Sequence, residues 1–389
     1  MSRPTKTSAA ILVLLALLVT TGVSAQEELV TVYGETLEDG SVMIRASSEH
    51  IIPVYLNVNL PQLINMEADT EVPFGTELAP GATGVSLFTL TPTRTSGRVG
   101  YSLSYGFARG NPFTATHDDE FTYLIPFAHG EKRRLSQGFS GDFSHFGENE
   151  YAVDFEMPVG TPIYAARGGL VAEVKEDSRI GGASASYSDD ANYVLVMHED
   201  GSFAHYVHLR YGGAAVEPGD RVLEADLIGY SGNTGRSSGP HLHFDVRLPT
   251  AEGRMESIPF LFRGDGGSAL VPMEGRFYYA YHPGGPRFEP VLGSDIALDD
   301  FAGYAETFTA KDGIEIRVEQ IDLTFLVFIQ NGLPREADVT IGFQLRGLTS
   351  DNGTSVERSV PARTEVLATI LRPIEGASSI QYGYSVRYR

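Results

Sequence analysis

Histidine is the residue whose placement in this chain most suggests chemistry, because imidazole both binds transition metals and transfers protons near neutral pH. Five of the ten histidines lie in three short stretches, residues 145–162, 204–209 and 232–244. The chain contains no cysteine, which excludes thiol catalysis, disulfide bonds and cysteine-ligated metals. A transition-metal site would therefore have to use histidine, aspartate and glutamate.

The third stretch contains two histidines with strand spacing. His241 and His243 alternate with Leu242 and Phe244, and residues two apart in a β-strand point to the same face of a sheet. We therefore expect both imidazoles to face one side while the two apolar side chains enter the core. This pair is either half of a metal or catalytic site or a pair of surface histidines.

The second stretch also reads as a strand. Alternation would put His208 on one face with Tyr206, and His205 on the opposite face with Val207. We expect His208 to be the site residue and His205 to be structural. His198, just before an Asp-Gly turn, is expected at the end of a strand without a functional role.

The glycine-rich segment 232–239 precedes His241. It is not a phosphate-binding loop, because no Lys-Ser/Thr follows it and it leads into a strand rather than a helix. Its expected role is a sharp turn that delivers the two histidines. A serine hydrolase is not indicated, since residues 235–239 have the Gly-x-Ser-x-Gly spacing but lead into a strand, whereas a nucleophile elbow leads into a helix. There is also no His-Glu-x-x-His motif that would supply a glutamate base.

Three motifs lie across the middle of the chain: Asp154-Phe155 before Pro158-x-Gly160-Thr161-Pro162, Tyr206-x-His208-Leu209, and Ser238-Gly239-Pro240-His241-Leu242-His243-Phe244. Taken together, these motifs resemble the lysostaphin/LytM family of zinc endopeptidases. The resemblance covers roughly residues 121 to 250. It implies a mostly β domain that cleaves peptide bonds in peptidoglycan, with zinc held by Asp154, His243 and a histidine upstream of Asp154. It also implies that His208 and His241 act on the zinc-bound water and the scissile carbonyl.

The first zinc ligand departs from the family spacing, in which a histidine lies four residues before the aspartate. Glu150 has that place here, and the nearest upstream histidine is His145, nine residues before Asp154. A straight strand of four residues spans about 13 Å, so either candidate requires the chain to fold back. Gly147 and Asn149 are turn formers that allow this for His145. Zinc accepts imidazole more readily than a second carboxylate, so we predict that His145, Asp154 and His243 hold Zn²⁺. Glu150 is the alternative, and if neither residue binds, the domain is inactive.

The first 25 residues have the pattern of a secretory signal peptide. Arg3 and Lys6 precede an unbroken apolar run, residues 9–19, and small residues follow at 23–25. Eleven apolar residues are too few to span a bilayer, and no later segment is long and apolar enough to do so. We therefore expect cleavage after Ala25 and export to the periplasm or the exterior.

Two related segments flank the middle of the chain. Both contain short alternating runs of Val, Ile, Tyr and Phe between turn residues, as in a small β-sandwich. We infer an internal duplication and predict an all-β fold: a two-sheet antiparallel peptidase core, residues 116–266, flanked by two duplicated β-sandwich modules, residues 26–115 and 267–389. The matches are Tyr33–Thr36 with Tyr304–Thr307, Asp39-Gly40 with Asp312-Gly313, Leu60-Pro61 with Leu333-Pro334, and Leu90 with Leu371.

The function predicted from these observations is a secreted zinc metalloendopeptidase that hydrolyses peptide cross-links of bacterial peptidoglycan. One alternative is an inactive domain of the same fold that binds cell-wall peptide or activates a separate hydrolase, and another is a metallopeptidase with protein substrates. The net charge of -21 argues against a nucleic-acid partner, which would need a basic surface. A regulatory protein partner stays open. The polar segment 178–192 is expected to be a mobile loop, either a neutral insertion or a lid over the substrate groove.

Overall fold

The computed structural model describes residues 29–94, 97–307, 313–377 and 379–389. The predicted signal peptide lies outside these ranges. Among the described residues, no helix has the length and apolar character needed to cross a membrane. The described chain forms two compact units, one that runs to Arg276 and includes Ala280–Gly284, and one made of Phe277–Tyr279 and Gly285–Arg389.

The regular structure is mostly β-strand, which confirms the mostly β prediction. Short 3-10 segments lie at Gly147–Asn149, Ala185–Asp190, Asp265–Gly267 and Leu298–Phe301.

The N-terminal part of the first unit consists of two antiparallel sheets around one apolar core. The sheet orders are β1-β2-β6-β4 and β5-β3-β7. Alternating residues of both sheets, such as Ile44, Leu56 and Leu90, are fully buried. Burial of each such side chain contributes about 1.5–3 kcal/mol. The strands are β1 (Val30–Thr36), β2 (Val42–Ser48), β3 (Val54–Ile64), β4 (Met66–Ala68), β5 (Phe74–Leu78), β6 (Val85–Pro92) and β7 (Gly100–Arg109).

The central part of the first unit contains one large antiparallel sheet with the order β17-β12-β14-β15-β20-β10-β9, and β21 pairs with β20. Smaller sheets join β11-β18-β16, β13-β19 and β23-β22-β8. The strands are β8 (Thr122–Tyr123), β9 (Lys132–Gln137), β10 (Val153–Glu156), β11 (Pro162–Tyr164), β12 (Gly169–Lys175), β13 (Gly181–Gly182), β14 (Tyr193–Met197), β15 (Phe203–Val207), β16 (Leu209–Ala214), β17 (Arg221–Val222), β18 (Leu227–Ser231), β19 (Gly235–Arg236), β20 (His241–Pro249), β21 (Met255–Ile258), β22 (Leu261–Arg263) and β23 (Ala269–Leu270).

Strand β20 separates the apolar core from a polar face. Leu242, Phe244 and Val246 are fully buried. Phe244 packs against the rings of Tyr206 and Phe260, whose centroids lie 5.2 and 5.3 Å away. The first four alternate residues of the strand are polar and face the other side of the sheet, as expected for a strand with one apolar face. They are His241, His243, Asp245 and Arg247.

The second unit repeats the strand order of the N-terminal module. Its sheets are β25-β31-β27-β26, with β29 on β31, and β30-β28-β32. Strands β26 to β32 thus correspond one by one to β1 to β7, with the same pairing partners. The strands are β24 (Phe277–Tyr279), β25 (Glu306–Thr307), β26 (Ile314–Ile321), β27 (Thr324–Asn331), β28 (Ala337–Arg346), β29 (Leu348–Ser350), β30 (Ser355–Val360), β31 (Thr364–Pro373) and β32 (Gln381–Tyr388).

The strand correspondence corrects part of the sequence match between the two modules. Leu90 and Leu371 both lie in equivalent strands, β6 and β31, as the match requires. Gly40, however, lies in the turn between β1 and β2, whereas Gly313 precedes β26. The turn equivalent to that of Gly40 contains Asp322, whose φ is 58°. The ungapped match was wrong there because Asp-Gly is a common turn signal and does not identify which turn it forms.

Candidate metal centre

The register of two adjacent strands brings the aspartate and the paired histidines together. In the antiparallel pair of β10 and β20, Asp154 lies opposite His243, and Glu156 lies opposite His241. Directly opposite residues project from the same face of a sheet, with Cβ atoms about 5 Å apart. Phe155 points the other way and is fully buried. Asp154, His241 and His243 therefore share one polar face.

His145 reaches the same place from the loop between β9 and β10. The chain folds back at Gly147, which has a φ of +60°, and forms a single 3-10 turn over Gly147–Asn149. The ring of His145 is buried, and its Nδ1 donates to the carbonyl of Gly138 at 2.8 Å. Its Nε2 then faces Asp154 Oδ1 at 3.2 Å. Glu150, the other candidate for the first ligand, is exposed.

The geometry of these three residues fits a divalent transition metal. One ligand atom each from His145, Asp154 and His243 lies within 4.8 Å of the other two. His243 Nδ1 is 3.0 Å from Asp154 Oδ1. A tetrahedral zinc ion with bonds of about 2.0–2.1 Å holds its ligand atoms about 3.3 Å apart, close to the spacings found here. Two imidazoles and one carboxylate also leave a fourth position, as in catalytic zinc sites.

The charges around the three residues favour a cation. Burial alone would raise the pKa of Asp154, but hydrogen bonds with His145 and His243 outweigh it and lower that pKa, so the carboxylate is ionised. Burial also lowers the pKa of His243, yet its hydrogen bonds with Asp154 and Asp245 raise that pKa to about 9. Both carboxylates therefore stabilise positive charge at this position.

Asp245 and Arg247 belong to the site and were missed by the sequence analysis. His243 Nε2 donates to Asp245 Oδ2 at 3.0 Å, which leaves Nδ1 as the ligand atom. Asp245 is fully buried and forms an ion pair with Arg247. Alternation beyond His243 was the available signal, because positions 245 and 247 continue the polar face of β20. Such carboxylate partners fix the orientation of metal-ligating imidazoles.

His208 lies beside the metal centre, but for a different reason from the one expected. Strand β15 ends at Val207, and His208 has a left-handed backbone with a φ of +67°. Its ring centroid is 4.6 Å from that of His241 and 5.8 Å from that of His243. Continued alternation would have put His208 with Tyr206, which is fully buried in the core. The predicted face was therefore wrong, because the backbone turns out of the strand at this residue.

His208 and His241 both have their Nδ1 atoms fixed by backbone carbonyls. His208 Nδ1 donates to Thr234 O at 2.6 Å, and His241 Nδ1 donates to Gly239 O at 2.7 Å. His241 Nε2 is 3.6 Å from Asp154 Oδ1. Burial lowers the pKa of His208 to about 3, helped by repulsion from His241 and His243, so His208 is neutral at physiological pH. His208 thus directs an unprotonated Nε2 away from its carbonyl partner, and His241 likewise directs its Nε2 away from the carbonyl that it contacts.

The other two histidines singled out in the sequence lie in supporting positions. His205 is opposite Asp245 in the pairing of β15 with β20, and its Nδ1 is 3.6 Å from Asp245 Oδ2. His205 therefore lies on the His243 face and contacts the carboxylate that orients this ligand. His198 is buried, and its Nδ1 donates to Gly168 O at 2.9 Å.

The segment 178–192 is attached to the glycine-rich segment. Strand β13 pairs in parallel with β19 inside the turn that precedes His241. Asn192 is fully buried and joins both ends of the segment, since its side chain accepts from Ser178 N and donates to Ser178 O, both at 2.9 Å. Its backbone N donates to Thr234 Oγ1 at 3.0 Å, next to the carbonyl that holds His208. A role as a lid stays a prediction.

Known proteins match this chain in the region of the metal centre. Residues 148–255 match the family model described as Peptidase family M23. The site has the ligand set of a metallopeptidase, and the central part of the chain is similar to peptidase family M23 over residues 148–255.

Several curated proteins are similar to this region. The glycyl-glycine endopeptidase ALE-1 of Staphylococcus capitis is 39% identical over 186 residues, which are 45% of this chain and 48% of the relative. Lysostaphin of Staphylococcus simulans is 34% identical over 133 residues, 32% of this chain and 24% of the relative. Peptidoglycan DD-endopeptidase ShyA of Vibrio cholerae is 37% identical over 94 residues, 24% of this chain and 19% of the relative. The chain therefore spans less than half of each of these proteins.

Among solved structures, the catalytic domain of lysostaphin from Staphylococcus simulans is 26% identical to this chain. The alignment covers 36% of this chain and 88% of that domain, with a TM-score of 0.23.

Proposed function

We propose that this protein is an exported zinc metalloendopeptidase that hydrolyses the peptide cross-links of bacterial peptidoglycan. The observation that carries the proposal is the buried triangle of His145, Asp154 and His243, flanked by His208 and His241. The substrate class is supported by relatives whose names give glycyl-glycine and peptidoglycan DD-endopeptidase activity.

Zinc is the metal that suits this donor set. His145 would bind through Nε2 and His243 through Nδ1, because their other ring nitrogens donate to Gly138 O and to Asp245. When bound, zinc acts as a Lewis acid and lowers the pKa of a water molecule that it binds to about 7. The three side chains carry one negative charge between them, so a net positive charge would remain to act on substrate and water.

His208 and His241 would perform the proton transfers. The unprotonated Nε2 of a neutral imidazole can accept a proton from the attacking water, and the protonated ring can then donate it to the leaving amine. The second imidazole, with a proton on its Nε2, would donate to the scissile carbonyl oxygen and stabilise the charge that develops there. Both rings present the same nitrogen, Nε2, beside the metal ligands, so the geometry allows either ring to take either part.

The proposal also includes the two flanking modules and the signal peptide. Residues 26–115 and 267–389 would form scaffold or binding modules on either side of a peptidase domain at 116–266. Residues 1–25 would be removed on export, so that the mature protein begins at Gln26. Mass spectrometry of the protein from the periplasm or the culture medium tests this directly, and retention of residues 1–25 would contradict it.

Hydrolysis of purified sacculi tests the main proposal. The full mature chain should release soluble peptide fragments with new amino groups, and a chelator should stop this reaction. His241→Ala should be inactive on the same substrate. Cleavage of casein without cleavage of sacculi would favour the alternative of a protein-directed peptidase. Binding of sacculi without any cleavage by the zinc-loaded protein would favour the inactive cell-wall binder.

A further inference from the structure

Arg247 contacts two parts of the metal centre that come from distant parts of the sequence. It is the last residue of the polar face of β20, which also contains His243 and Asp245. We infer that Arg247 is a positioning residue that holds the loop carrying His145 in place relative to His243. This inference rests on the metal centre proposed above and assigns a function to residues beyond its ligands.

One side of the Arg247 guanidinium is fixed by Asp245. Its Nε donates to Asp245 Oδ1 at 2.5 Å and its Nη2 to Asp245 Oδ2 at 2.8 Å. This two-point contact fixes the plane of the guanidinium more rigidly than a lysine ammonium could. Asp245 in turn accepts from His243 Nε2 at 3.0 Å. The orientation of the guanidinium is therefore coupled to that of the His243 ring.

The same guanidinium reaches the loop that carries His145. Arg247 Nη2 donates to the side-chain carbonyl of Asn149 at 2.5 Å. Asn149 ends the 3-10 turn that begins two residues after His145. A second contact lies nearby, where Tyr151 N donates to Ser257 Oγ at 2.9 Å. Ser257 is directly opposite Arg247 in the pairing of β20 with β21. The two residues that contact the loop are therefore neighbours in the sheet.

The stretch from Phe146 to Asn149 depends on polar contacts because it buries little apolar surface. The 3-10 turn contains no buried residue, and Phe146, the neighbour of His145, is 60% exposed. On the N-terminal side, His145 itself is held through Gly138 O. On the C-terminal side, the contact of Asn149 with Arg247 limits how far the loop can move. Loss of this contact would leave the ligand histidine on a segment with more conformational freedom, at the expense of metal affinity.

The inference is tested by zinc binding to the full mature chain, measured by competition with a chelator. Asn149→Ala and Arg247→Lys should each weaken zinc binding by about 10- to 100-fold, the usual effect of losing a partner of a metal ligand. Asn149→Asp keeps the acceptor oxygen and should restore affinity close to that of the unaltered protein. Arg254→Gln is the matched control, because Arg254 also contacts this loop, at Glu148, but is exposed.

The results separate this inference from the proposal on which it rests. Unchanged zinc affinity in Asn149→Ala, in a protein that binds zinc, would overturn the positioning role alone. An equal loss in Arg254→Gln would also overturn it, since any loosening of the loop would then suffice. If the folded, unaltered protein binds no zinc, the metal centre itself is refuted and the inference falls with it. Should Arg247→Lys fail to fold, Asn149→Ala decides the question, because Asn149 lies in a surface loop.

Discussion

The first zinc ligand can be identified by comparing His145→Ala with Glu150→Gln. His145 Nε2 lies 3.2 Å from Asp154 Oδ1 inside the buried triangle, whereas Glu150 is exposed. Removal of one of three protein ligands should cost more than the 10- to 100-fold loss typical of a supporting residue. We therefore expect His145→Ala to weaken zinc binding by more than about 100-fold, or about 2.7 kcal/mol.

The charge of the site gives a second reason for this expectation. Asp154 as the only ionised ligand leaves the bound ion one net positive charge, which favours ionisation of water near neutral pH. Glu150 as a ligand in place of His145 would cancel that charge. Glu150→Gln should thus leave both zinc affinity and hydrolysis close to those of the unaltered protein, while His145→Ala loses nearly all activity.

The assay is a chelator competition titration with each full-length variant, followed by hydrolysis of purified sacculi with zinc in excess. Thermal unfolding of the zinc-free proteins serves as the folding control, because a destabilised His145→Ala variant would lose zinc simply by unfolding. The reasoning is refuted if Glu150→Gln loses zinc and His145→Ala keeps it. If neither change affects zinc or activity, the ligand set has to be rebuilt around another residue.

Three further predictions concern other parts of the molecule. His208→Ala and His241→Ala should retain zinc but hydrolyse sacculi at least about 100-fold more slowly, and full activity in either variant would disprove the role of that residue. Burial lowers the pKa of His198 from 6.5 to about 4, so the unfolded chain takes up this proton first as the pH falls. The free energy of unfolding should therefore decrease between pH 6.5 and 4, by up to about 3 kcal/mol from this residue, and denaturant titrations of His198→Gln should lack this part of the decrease. Glu365→Ala should destabilise the second unit by about 1–3 kcal/mol, since Glu365 accepts two hydrogen bonds from Arg317, and an unchanged denaturation midpoint would contradict this.

The residues of the metal triangle could be selected from the sequence because their chemistry restricts the choice. Without cysteine, few residue types can bind a transition metal, and the spacing of His241 and His243 already places two imidazoles on one face of a strand. The position of Asp154 directly opposite His243 on the neighbouring strand could not be derived from residue types and spacing. Register between strands that are distant in sequence depends on packing of the whole sheet.

The strand order of the two flanking modules also separates what sequence patterns predict from what strand pairing decides. Alternation of apolar residues predicted β strands in both flanking segments, because one face of each strand has to be buried. The ungapped match placed Gly40 and Gly313 in equivalent positions, but they lie in different turns. Short turn signals recur too often to identify which strands they join, whereas the pairing partners of each strand identify them without ambiguity.

The sequence by itself determined which side chains are available for chemistry, that the chain is mostly β, and that the chemistry lies in its middle third. Only the tertiary structure decided how His145 reaches the site, why His208 turns towards it, and that Asp245 and Arg247 support it. The physical reason is that residue type and alternation are local properties. A loop that folds back, a left-handed residue at the end of a strand and a hydrogen bond between strand and loop depend on contacts between segments that the order of residues does not specify.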